Sequence, residues 1–148
     1  DDMKFETPDW DEKIIKEFSN KQDNFYLIHC NDGMRGSGNK YANVAPLAVN
    51  SFIHRDYVET IGHYVEEIEI NTFHDTYLDK LFEILNRKIY FHDIVIRHLH
   101  FSEYGGKDQA SIDLEKQREG VWDNNNLFEE KLMPEILKEV EIIKAKIS

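Results

Sequence analysis

Basic residues are scarce in this 148-residue chain: 18 Lys and Arg stand against 29 Asp and Glu, a formal net charge of −11 with the seven His neutral. That balance excludes a protein that coats DNA or RNA, where affinity comes from neutralising phosphates with basic groups. It equally disfavours docking on anionic lipid. A phosphate-bearing small ligand would need a metal ion or a local basic group to offset the repulsion. Cysteine is nearly absent. Cys30 alone cannot make an internal disulfide, so a reducing, cytoplasmic setting is expected. Long apolar runs are missing too, each falling well short of the roughly 20 residues that a membrane helix needs. The opening residues carry no signal-peptide pattern. What is present is ordinary for a globular domain: 41% of residues are hydrophobic and 12% aromatic, enough to bury one core.

Local patterns predict alternating helices and strands. Thr7 and Pro8, followed by Asp9, Asp11 and Glu12, read as a helix start with Thr7 as cap. Trp10, Ile14, Ile15 and Phe18 supply its apolar stripe, which gives a helix over Pro8–Phe18. Strands are expected over Phe25–Cys30, Pro46–Ile53 and Ile94–Phe101, with Ile89–Phe91 preceding the last and a break at His92-Asp93. Arg55–Gly62 fits a short helix stopped by Gly62. Asp75–Arg87 fits a longer one through Tyr77, Leu78, Leu81, Phe82 and Leu85. Leu127–Ile147 reads as a terminal helix, reset at Pro134 and packing outside the rest.

Glycines concentrate in one place. Gly33, Gly36 and Gly38 fall within Asn31–Asn43, a loop of the length that often forms a lid. Their spacing does not make a phosphate-binding P-loop, and no Lys-Ser/Thr pair closes them. With no repeats and no linker, the pattern is one α/β domain over residues 1–148: a mixed sheet flanked by helices.

Three features could carry chemistry. Asp1 and Asp2 offer hard oxygen ligands for Mg²⁺ or Mn²⁺; as a plain solvated terminus they would do nothing. In Arg97-His98-Leu99-His100, residues two apart share a strand face, so His98 and His100 project together. They suit a metal site if further ligands come from elsewhere, or else one is a core histidine and the other exposed. Asp75, at a helix start, is either a cap or a carboxylate able to take a proton from a substrate hydroxyl, and the roles are compatible. Cys30 lacks an activating neighbour, since His29 faces the other side of the strand. Trp10, Trp122, Tyr64 and Tyr77 are candidates for stacking on a sugar or base.

The order of these pieces resembles a glycosyltransferase of the GT-A fold, family 2-like. Asp1-Asp2 followed by Phe5 and Thr7-Pro8-x-Trp10-Asp11 is similar to the family's DxD-type motif and the helix after it. Ser51-Phe52-Ile53, Arg55, Tyr57-Val58 and Ile61-Gly62-His63-Tyr64 resemble its acceptor-side segment. His74-Asp75-Thr76-Tyr77-Leu78 is similar to an Asn-Asp-Thr-Trp-Leu pattern that carries the presumed base. Ile94–Phe101 resembles the late strand whose histidine completes the metal site, and Gly106-Lys107 with Trp122-Asp123 the polar tail. The likeness spans roughly residues 1–130. His74 and Tyr77 depart from the usual Asn and Trp.

The resemblance implies the second half of a GT-A (nucleotide-diphospho-sugar transferase) fold, beginning at the motif, with a nucleotide-binding half upstream. It implies a divalent cation (Mn²⁺ or Mg²⁺) held by Asp1, Asp2 and His98, and Asp75 as catalytic base in an inverting transfer. His74, Tyr77, Trp10, Arg35 and Lys107 become candidate substrate-binding residues, the substrates being a nucleotide-sugar donor and a hydroxyl-bearing acceptor. The Asn31–Asn43 loop would border the acceptor cleft. Two other classes remain open on the residues alone: a non-catalytic binding or assembly module on the same scaffold, and a small zinc protein using His98, His100 and a third ligand.

Overall fold

A computed structural model describes residues 3–33, 47–65, 74–98, 112, 113, 116 and 128–148, with the backbone but not the side chain of His98. In chain order the elements are β1 (Met3–Phe5), α1 (Trp10–Ser19), β2 (Leu27–Asn31), β3 (Ser51–Ile53), α2 (Arg55–Ile61), α3 (His74–Ile84), β4 (Lys88–His98) and α4 (Met133–Ile147). A π-helical turn over Phe128–Leu132 leads into α4. The chain is mixed α/β, and no helix among the described residues is long and apolar enough to cross a membrane.

One four-stranded sheet runs in the order β1-β4-β2-β3. The inner pair β4 and β2 is parallel, while β1 and β3 lie antiparallel on the two edges. The strands expected over 25–30, 47–53 and 94–100 thus share a sheet, although β3 shrinks to three residues. The expected break at His92-Asp93 is a distortion inside one strand. Cys30 pairs with Phe91 but Asn31 with Val95, so three residues of β4 bulge out of register. Side chains satisfy the freed backbone. Asn31 Nδ2 donates to the His92 carbonyl at 3.2 Å, and the Thr7 hydroxyl accepts from the Val95 amide at 2.7 Å. A bulge survives where such partners replace the lost ladder bonds.

That use of Thr7 corrects the expected helix start. Asp9, not Thr7, precedes α1, in left-handed conformation (φ 53°) and without a side-chain cap bond. The helix begins at Trp10, beyond Pro8. Gly62, in contrast, ends α2 as expected: its φ of 99° lets its amide reach the Val58 carbonyl at 2.8 Å, a conformation that glycine adopts without penalty.

Two apolar layers cover the sheet. On one face Ile14 of α1 packs with Ile28, Cys30, Ile94 and Ile96. Burial there pushes the Cys30 thiol up to about 12, helped by Asp93. On the other, Leu27 meets Tyr57 of α2, Tyr77, Leu78, Leu81 and Phe82 of α3, and Ile136, Val140 and Ile143 of α4. The terminal helix is therefore part of the core rather than an outer layer, the second correction to the sequence reading. Phe5 and Phe52 lie on opposite edge strands, yet both rings contact Trp10, at 4.4 and 5.4 Å between centroids. Flat strands three places apart would lie about 14 Å from one another, so the sheet curls around the start of α1.

Candidate functional site

Because β2 and β4 are parallel, their carboxyl ends share one edge of the sheet. In α/β sheets ligands gather outside those ends. The antiparallel partners start there: β1 enters at Met3, directly across from His98, and β3 enters after Asn50. Asp32 closes β2 at this edge, 6% exposed.

The edge is built from polar side chains. Asn50 spans the two parallel strands, accepting from the Cys30 amide at 2.8 Å and donating to the Ile96 carbonyl at 3.2 Å. Asn31 Oδ1 accepts from the Gly33 amide at 2.9 Å and turns the chain out of β2. Gly33 has a φ of 74°, and a Cβ there would meet Arg97 Nη1 at 3.1 Å. Position 33 thus favours glycine for its backbone, and a Cβ there would also push the Arg97 side chain aside by a few tenths of an ångström. Arg97 grips Glu6 through two bonds, Nε to Oε1 at 3.0 Å and Nη2 to Oε2 at 3.2 Å. That grip holds the Glu6 carboxyl below its ordinary range.

The connection from α3 into β4 reverses the chain within three residues, with Asn86 at φ 54° and the Arg87 amide bonded to the Phe82 carbonyl at 2.9 Å. A helix joined so tightly to a strand runs back along it, which turns the first turn of α3 toward the carboxyl edge. His74 and Asp75 are half-buried in that turn. Asp75 is the second residue of α3, not the residue before it, and its Oδ1 accepts from the adjacent Thr76 amide at 2.8 Å.

The remaining site expectations divide. Asp1, Asp2, Arg35, Lys107 and His100 lie outside the described residues. Among the described residues no group of three His, Cys, Asp or Glu could hold a metal ion. Tyr77 is fully buried, and its hydroxyl donates to Glu139 Oε1 at 2.6 Å. Trp10 is occupied by packing, with Phe5 stacked on its ring at an interplanar angle of 22°.

Asp32, Asn50 and Glu139 are not among the expected site residues. Asp32 falls in the expected Asn31–Asn43 loop and Asn50 in the expected Pro46–Ile53 strand, and only strand pairing puts them at the edge. Glu139 falls within the expected terminal helix. It is 3% exposed and accepts from Tyr57 at 2.8 Å as well as from Tyr77. No protein-family profile, curated protein or solved structure matches the chain. The fold and site therefore define a class, a mixed α/β domain with a polar carboxyl edge, and the function rests on that geometry.

Proposed function

We propose that this chain is the acceptor-side portion of a GT-A-type glycosyltransferase, which moves a sugar from a nucleoside-diphosphate donor to an acceptor hydroxyl with inversion. The supporting observation is the β1–β4 register. Met3, which follows Asp2 in the sequence, pairs with His98, a register that supports a shared site for the residues next to Met3 and the end of β4. Carboxylate and imidazole are a donor set that suits Mn²⁺ or Mg²⁺. Asp2, with Asp1, and His98 would hold the cation, which when bound stabilises negative charge on a leaving diphosphate.

The residues of the chain supply the rest. Asp75 takes the proton from the acceptor hydroxyl as that oxygen attacks the anomeric carbon. His74 beside it orients the acceptor. Arg35 and Lys107 bind substrate, and the loop from Asn31 to Asn43 borders the acceptor.

Thermal unfolding of the full-length protein tests the proposal. At a hundredfold excess over Kd, a ligand that binds only the folded state adds about 2.7 kcal/mol. For a chain of this size that raises the Tm by roughly 5–10 °C. Mn²⁺ with a nucleoside diphosphate should give such a shift, and His98→Ala and Asp2→Ala should each abolish it. A shift that survives His98→Ala overturns the assignment.

A further inference from the structure

Glu139 is a carboxylate with almost no water around it. It receives the Tyr57 hydroxyl from α2 at 2.8 Å on Oε2 and the Tyr77 hydroxyl from α3 at 2.6 Å on Oε1. His63 Nε2, just beyond α2, lies 3.5 Å from Oε1. Burial, reinforced by the adjacent carboxylate, pushes the Tyr57 phenol far up, so that hydroxyl stays protonated and keeps donating. Hydrogen bonds to a buried charged group are among the stronger ones, and their loss leaves the charge under-solvated. Three helices are therefore tied to one pair of oxygens.

The tie matters because of where it grips α3. Tyr77 lies two residues after Asp75, within the helix's opening turns. Two residues further on, Asp79 Oδ1 accepts from the Ala48 amide at 3.0 Å and pairs with Lys88 Nζ at 2.6 Å. Leu78, Leu81 and Phe82 pack the helix against the core, and the bond from Tyr77 to Glu139 adds a directional restraint two residues from Asp75.

We infer that Glu139, acting through Tyr77, is a positioning residue for Asp75. The C-terminal helix thereby contributes to the proposed transfer without touching substrate. The inference rests on the reading of Asp75 as the base. Misplacing a reacting group by about 1 Å can cost on the order of 10² in rate, so loss of one anchor should reduce turnover markedly while substrate affinity holds.

Three variants of the full-length protein decide it: Tyr77→Phe, Glu139→Gln and Asp75→Asn. Turnover is read as nucleoside-diphosphate release from whichever member of a panel of nucleoside-diphosphate sugars the parent consumes with Mn²⁺. Amide hydrogen exchange is followed in parallel over residues 74–77 and 81–84. Tyr77→Phe should lower kcat about tenfold with the donor KM within about twofold. Exchange should speed up at least tenfold over 74–77 and stay near the parent over 81–84. Glu139→Gln should behave alike, and if it fails to fold, Tyr77→Phe alone carries the test. Parent-like kcat in Tyr77→Phe, or faster exchange spread evenly over α3 and α4, overturns the positioning role and leaves the base intact. Parent-like turnover in Asp75→Asn instead removes the base reading, and the inference falls with it.

Discussion

Asn in place of Asp75 keeps an oxygen that can accept the Thr76 amide, now bonded at 2.8 Å, but it no longer takes up a proton. The two roles of the carboxylate thus separate at a single position. By the capping scale Asp75→Asn should change stability by only a few tenths of a kcal/mol. As a lost general base it should slow transfer by about 10² or more. Asp75→Ala loses the acceptor too and should cost about 1 kcal/mol of stability along with the activity. Turnover and denaturant midpoints on the two variants check this. An Asn variant with parent turnover beside an Ala variant that merely melts earlier makes Asp75 a first-turn hydrogen-bond acceptor and nothing more. The residue type alone left both roles open, and the hydrogen bond to Thr76 explains why: the side chain fills the structural one whether or not it fills the other.

The α4 helix shows what a stripe of apolar residues does and does not encode. Ile136, Val140 and Ile143 announce one buried face, and the sequence reading found it. The partner was not legible, because the same stripe would suit an outer layer over any apolar surface. In the fold it fills the centre of the core, with all three side chains at or below 1% exposure. Replacing Ile143 or Ile136 with Ala should therefore cost about 2–5 kcal/mol, whereas Leu137→Ala, at a half-exposed position on the same helix, should stay within about 0.5 kcal/mol. Comparable losses at all three positions, measured by urea unfolding, would mean that α4 lies on the surface. Helices α2 and α3 were legible because periodicity and, for α2, a terminal glycine agreed. β1 was not, since three residues that begin with Met3 make no alternating pattern and become a strand only through β4. The Glu139 tie escaped for the same reason: Tyr77 and Glu139 are 62 positions apart, and nothing local marks either as a partner. The carboxyl edge was half legible. His98 stood out by type, but Asp32 and Asn50 gain meaning only once β2 and β4 are seen to be parallel.

Over the whole molecule, 29 acidic residues against 18 Lys and Arg make self-repulsion a general term in stability. The Arg97 and Lys80 cations offset it locally at Glu6 and Glu83, and the neutral Asn24 amide bonds Asp56; each of these carboxyls is lowered from its ordinary value chiefly by that bond. A carboxyl with a lowered folded-state pKa binds fewer protons folded than unfolded. Its contribution is complete above the unfolded value, about 3.9 for Asp and 4.3 for Glu, and disappears as pH falls through the folded one. All three groups are exposed, so each contribution is small and sensitive to salt. Between pH 7 and 5 the three paired carboxyls remain ionised and lose nothing. Below about pH 4 the pairs fail and stability drops. At pH 7, raising NaCl from 0.02 to about 0.3 M should raise the Tm, because screening the net repulsion outweighs weakening a few exposed pairs. Thermal unfolding at the two salt concentrations measures the effect. A Tm that falls with salt at pH 7 would show that the surface pairs, rather than the excess of acidic charge, govern the electrostatics of this fold.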